Sequence, residues 1–96
     1  CMMVRTEVFR QLGGFDEDFS VCFNDVDFCL RLRQAGYLVV YTPFAELVHH
    51  ESSARGMAVD EREAAELVRR WGPVTCRDPY FNPNLDVRRA ECALPR

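Results

Sequence analysis

Two aspartates one residue apart open the segment Asn24-Asp25-Val26-Asp27-Phe28-Cys29-Leu30-Arg31-Leu32. Asn24 is a good helix N-cap, with Asp27 three positions on completing a box-like pattern. A carboxylate in the first turn of a helix stays ionised readily, because the helix N-terminus carries positive partial charge. An ionised carboxylate so placed can take a proton from a hydroxyl, the work of a general base. On a wheel at about 100° per residue, Asp27, Arg31 and Gln34 share one polar face. Asp27 is therefore expected in solvent, paired with Arg31 at i, i+4. Asp25 falls instead on the side of Phe28, Cys29 and Leu32. There it must face a cleft, a partner or a metal, or else be buried at a cost. The competing reading makes both acids solvated residues that complement the helix dipole. A calcium loop is excluded, because Cys29 and Leu30 stand where the EF-hand needs an oxygen ligand and a glycine.

The second chemical pair is His49-His50. Strand alternation sends them to opposite faces, so only one can point into a given cleft. Such a pair is more often structural or solvated than a ligand. No further His or Cys stands at zinc spacing, which leaves only a site sharing ligands with another domain. The five cysteines are Cys1, Cys22, Cys29, Cys76 and Cys92. Their odd number, irregular spacing and lack of a Cys-x-x-Cys pair fit neither a disulfide framework nor a zinc finger. Cys22 and Cys29 are expected as small buried hydrophobes, in a reducing cytoplasmic setting.

The elements that must position these residues follow from local signals. Met2 to Arg5 reads as a short strand, and Thr6 caps a helix from Glu7 to Leu12. Gly13-Gly14 stops that helix. Phe15 to Phe19 is an acidic, aromatic loop. The second helix runs from Asn24 to about Ala35 and ends at Gly36. Tyr37 to Thr42 and Ala45 to His50 read as strands separated by Pro43. Glu51 to Val59 is a Ser- and Gly-containing loop with the character of a mobile lid. Asp60 starts a third helix with Glu63 three positions on. Ala64, Leu67, Val68 and Trp71 form its apolar stripe, and Gly72-Pro73 its end. Val74 to Arg96 is expected as an extended tail. The domain reading is one unit over 1–72 and a tail over 73–96.

With 96 residues, the chain suits one small domain, and its 48% hydrophobic and 28% charged residues are an ordinary globular balance. No apolar run is long enough to span a membrane, and the opening residues do not form a signal peptide. The net charge of -3 argues against nucleic-acid binding, which needs a basic face. All twelve basic residues are arginine. This suits phosphate contacts, although a genome rich in G and C gives the same bias. The chain opens as a strand entered midway. Strands near Met3, Val39 and Leu47 would pair with strands lying elsewhere, so it is read as a fragment. Unpaired edges invite self-association.

Taken in order, several segments resemble the C-terminal half of family 2 inverting glycosyltransferases of the GT-A fold. They are Gly13-Gly14-Phe15-Asp16-Glu17, Asn24 to Leu32, Ala35-Gly36-Tyr37, Tyr41-Thr42-Pro43, His49-His50 and Asp78 to Leu85. The branch concerned with rhamnosyl and other surface-polysaccharide transfer is the most similar. The resemblance implies an α/β fold: the C-terminal part of a Rossmann-like GT-A domain, about three helices with short strands. It implies that Asp25 is the general base that deprotonates the acceptor hydroxyl, with Asn24 in place of the family's usual Glu. By the same resemblance, His49 completes a divalent-metal site or contacts the donor phosphates, and Gly13, Gly14, Phe15 and Asn24 line the acceptor side. The implied partners are a nucleotide-sugar donor and a carbohydrate or lipid-linked acceptor. The implied cofactor is Mn²⁺ or Mg²⁺ in the intact enzyme, held by an Asp-x-Asp motif of the family's donor-binding half; Asp25-Val26-Asp27 is not that motif, because it opens a helix rather than ending a strand. No cofactor is expected in the fragment alone. The implied location is the cytoplasm or the inner face of the membrane. The fragment by itself is expected to be inactive. The alternative is a non-catalytic module of transferase-like shape that binds carbohydrate or protein through Phe15, Phe19, Tyr80 and Phe81.

Overall fold

Three helices form in the computed structural model, which describes residues 1–48 and 59–77: α1 (Thr6–Gln11), α2 (Asn24–Gln34) and α3 (Glu61–Thr75). Glycine ends the first two by the same device. Beyond α1, Gly13 N–H donates to the Arg10 carbonyl and Gly14 N–H to that of Phe9, with both glycines at positive φ. Beyond α2, Gly36 N–H donates to Arg33 and Tyr37 N–H to Leu32, with Gly36 at φ 87°. This left-handed closure satisfies carbonyls that the helix leaves orphaned. It also turns Tyr37 back against the core. At the start of α3, Asp60 accepts from the backbone N–H groups of Arg62 and Glu63 at 2.9 and 3.2 Å, as its type predicts.

The other helix starts differ from expectation. Thr6 and Asn24 are the first helical residues, and the caps are Arg5 and Phe23, neither of which gives a side-chain cap bond. Phe23 sits in the left-handed region at φ 62°, an uncommon place for a bulky residue. The Gly72-Pro73 pair does not end α3, which continues to Thr75, so the expected boundary at 72/73 falls inside a helix. Proline removes its own amide donor and crowds the carbonyl four residues back, but it sits at a helical φ and only two helical residues follow it. With Cys76 N–H donating to the Gly72 carbonyl, the final turn still closes.

The core lies between α1 and α2. Val8, Phe28 and Leu32 are buried there, with Val4, Phe9, Leu12 and Tyr37 packed around them. Phe9, Phe15 and Phe28 form a triangle with centroids 5.1–5.7 Å apart, mostly edge-to-face, as ring quadrupoles favour. Removing a ring such as Phe28 from water contributes about 2 kcal/mol. Cys22 and Cys29 are half-buried rather than core residues.

No strand forms among the described residues, which corrects the expectation of short strands at Met2–Arg5, Tyr37–Thr42 and Ala45 onward. A strand is defined by its ladder, and no backbone ladder joins these segments. Tyr37 and Val4 pack on the core, but Leu38, Val40, Tyr41, Leu47 and Val48 are all largely exposed, as is Phe44 between the last two segments.

Candidate active site

Asp25, in the first turn of α2, is exposed. One carboxylate oxygen accepts from the Val26 amide at 2.8 Å, while the Asn24 side chain accepts from the Asp25 amide at 2.8 Å. The carboxylate borders an open cleft of about 780 Å³. Residues 1–5, Val8 of α1, one side of α2 from Val26 to Leu32, and residues 38–41 line the rest of it. The Cys29 thiol is pushed up from its ordinary pKa by burial and then by the negative charge of Asp25. Asp25 is thus the acid of α2 that solvent and a substrate can reach.

Asp27 reverses its expected position. It is 0% exposed, the most deeply buried charged group among the described residues. Its Oδ2 accepts from Arg31 Nε at 2.7 Å, and its Oδ1 from Trp71 Nε1 at 2.8 Å and Arg70 Nη1 at 3.3 Å. The wheel grouped Asp27 and Arg31 correctly but gave their face to solvent. In the fold that face is covered by α3 and by the turn after α1. Arg31 reaches that turn directly, donating to the carbonyls of Leu12 and Gly14 at 2.7 Å each. Gly13, Gly14 and Phe15, expected on the acceptor side, are therefore tied to α2 two turns away from Asp25 along the chain.

The acidic loop between α1 and α2 is held by α3. Arg70 donates to Asp16, Asp18 and Glu66 at 2.7, 3.1 and 2.9 Å, and its guanidinium lies 5.1 Å from the Phe19 ring centroid. Asp16 is pushed below the usual aspartate range by the backbone N–H of Asp18 and then by Arg70. Glu66 falls to about 2, chiefly through its bonds from Arg69 and then Arg70. These acids surround a protein cation. Among the described residues, no group of three His, Cys, Asp or Glu side chains could hold a metal ion.

Glu63, expected as a capping acid, is 3% exposed and turned into the same loop. Its Oε1 accepts from Ser20 N, Ser20 Oγ and Val21 N at 2.9–3.1 Å, and its Oε2 from Cys22 N at 2.6 Å. Burial alone would raise its pKa, but the N–H groups of Cys22, Val21 and Ser20 outweigh it and the net shift is downward. The expected stripe of α3 is only partly realised: Trp71 is buried, Ala64 and Leu67 half-buried, and Val68 exposed. The sequence reading did not single out Glu63 and Arg70 as the residues that hold the loop and Asp27. The available signal was that Glu63, Glu66 and Arg70 stand at i, i+3 and i+7, a charged face beside the apolar stripe.

Phe19 is 1% exposed under Arg70, so it offers no surface for the ligand-binding role in the alternative reading. Phe15 remains exposed. His49, expected as the metal ligand, lies outside the described residues, as do His50, Tyr80 and Phe81.

The pattern that defines glycosyl transferase family group 2 matches residues 1–75, and the chain belongs to that family. It is 45% identical, over its full length, to the O-antigen biosynthesis protein RfbC of Myxococcus xanthus, of which it covers 8%. It is 41% identical over 98% of its length to a Sinorhizobium fredii protein, y4gI, of which it covers 11%. It is also 46% identical, over 58% of its length, to the N-acetylglucosaminyl-diphospho-decaprenol L-rhamnosyltransferase of Mycobacterium tuberculosis, covering 18% of that protein. The chain therefore spans a fifth or less of these relatives. No solved structure matches it.

Proposed function

We propose that this chain forms the acceptor side of a nucleotide-sugar-dependent inverting glycosyltransferase in surface-polysaccharide or related glycan synthesis, with Asp25 as the general base. The observation that carries the reading is the contrast within one helical turn. Asp25 is open to a cleft, whereas Asp27 is sealed by Arg31, Arg70 and Trp71. A base must reach its substrate's proton, and only Asp25 can. It would take the acceptor hydroxyl's proton as that oxygen attacks the sugar's anomeric carbon and the nucleoside diphosphate leaves with the bonding electrons. Names of relatives that specify O-antigen and rhamnosyl chemistry support the glycan setting.

The wider GT-A architecture belongs to the same proposal, as do a carbohydrate or lipid-linked acceptor and a divalent cation with His49 as one ligand. Such a cation would offset charge on the leaving diphosphate. No helix among the described residues is long and apolar enough to cross a membrane. A place in the cytoplasm or at the inner membrane face is part of the proposal.

The test is radiolabelled sugar transfer by the full-length protein and its Asp25→Asn variant. Transfer is expected to fall by roughly 10²-fold or more with folding unchanged. Retained transfer would remove Asp25 from the role. Under the same proposal, the 96-residue chain alone gives no transfer.

A further inference from the structure

We infer that Glu63 is a positioning residue for Asp25: a buried carboxylate that sets the direction in which the chain enters α2. This rests on the reading of Asp25 as the base. Three consecutive backbone N–H groups, of Ser20, Val21 and Cys22, converge on the two oxygens of one side chain that is more than 40 residues away in sequence and sits in the first turn of α3. The Ser20 hydroxyl adds a fourth bond. A carboxylate accepting several N–H bonds holds them in one geometry, because each is charge-assisted. The next residue, Phe23, is in the left-handed region, and α2 starts immediately after it. Such a conformation in a bulky residue persists only where its surroundings over-determine it.

Glu63 fixes the chain on the near side of Phe23. On the far side, Asp27 N–H donates to the Phe23 carbonyl at 2.8 Å, and the Asp27 side chain is locked to Arg70 and Trp71 of α3. Asn24 and Asp25 lie between these two anchors, both of which lead to α3. Glu63 does not touch the cleft that Asp25 borders. Its influence on transfer would run through the backbone.

The experiment uses Glu63→Gln in the full-length protein, alone and combined with Asp25→Asn. An amide offers only one accepting oxygen, and its NH₂ opposes the loop amides. Asp60→Ala is the control, because it removes the cap of the same helix and leaves the clasp intact. Three results are expected. Amide exchange at Ser20–Cys22 accelerates in E63Q but not in D60A. The kcat of E63Q drops by roughly 10- to 100-fold with donor KM little changed, the size that misplacing a catalytic group by about an ångström produces. Finally, E63Q has no further effect in the D25N background, because groups acting as a unit are not additive. Equal kcat losses in E63Q and D60A at matched folded fraction would overturn the inference, as would additive losses in the double variant. A D25N enzyme with full transfer would overturn the assignment of the base, whatever the exchange rates of residues 20–22.

Discussion

At the scale of single residues, two aspartates of one type, two positions apart, have opposite fates. Asp25 is exposed and Asp27 is sealed against α3. Removing one partner of a buried, hydrogen-bonded charge set leaves the others uncompensated. Asp27→Ala should therefore destabilise the protein by about 3 kcal/mol, because Trp71 Nε1, Arg31 and Arg70 all lose an acceptor. Asp25→Asn, a surface change, should stay within about 0.5 kcal/mol. Urea midpoints of the two variants check this. Equal midpoints would mean that Asp27 is not the post on which α2 docks. The pair was visible in the sequence, and so was its link to Arg31. Which acid faced inward was not, because the helix that buries Asp27 comes more than 30 residues later.

At the scale of elements, the helices of the described residues were legible, as were the ends of α1 and α2 and the start of α3. Gly13-Gly14 and Gly36 mark the two left-handed closures, and Asp60 marks the start of α3. Such signals are local: they depend on φ and on amides within a few residues. The two glycines after α1 should nevertheless respond unequally to substitution. A Cβ on Gly13 meets nothing within 4 Å, so Gly13→Ala carries only the left-handed penalty of about 1 kcal/mol. A Cβ on Gly14 would lie 3.2 Å from the Phe9 ring, which is itself packed on Phe15 and Phe28. Gly14→Ala should cost roughly 1 kcal/mol more through overpacking. Thermal melts should rank G14A below G13A. The reverse order would show that the Phe9 ring gives way freely. The strands were not realised for the complementary reason. Their composition favours a pleated surface, but a ladder needs a neighbour, and none of the described residues supplies one.

At the scale of the whole molecule, α3 is joined to the acidic loop and α2 by charges more than by apolar contact. Asp16, Glu63 and Glu66 all have pKa values lowered by folding. The unfolded chain therefore binds more protons across that range, and stability rises with pH there. The contribution is complete above the ordinary values of 3.8 for Asp16 and 4.5 for the glutamates, and is lost as pH falls through the folded values, about 2 for Glu66. Denaturant midpoints should fall from about pH 4.5 downward, more shallowly in E63Q than in the parent. A flat profile over that window would mean that these bonds do not hold the fold. The apolar residues exposed over 38–48 support self-association of the isolated chain. Light scattering should give a mass above the 11.1 kDa monomer, and a strict monomer would contradict it.

The sequence by itself determined the three helices of the described residues, the glycine closures of α1 and α2, the Asp60 cap of α3, the pairing of Asp27 with Arg31, and the resemblance that led to the family. These properties are written within a turn or two of chain, or in the order of short segments. Tertiary structure alone decided which face of α2 is inside, that Phe19 is covered by Arg70, and that Glu63 grips the loop at Ser20–Cys22. Each of these depends on α3 packing across segments 40 or more residues distant. A helical wheel ranks faces by polarity, whereas burial of a charge depends on whether a partner arrives to neutralise it.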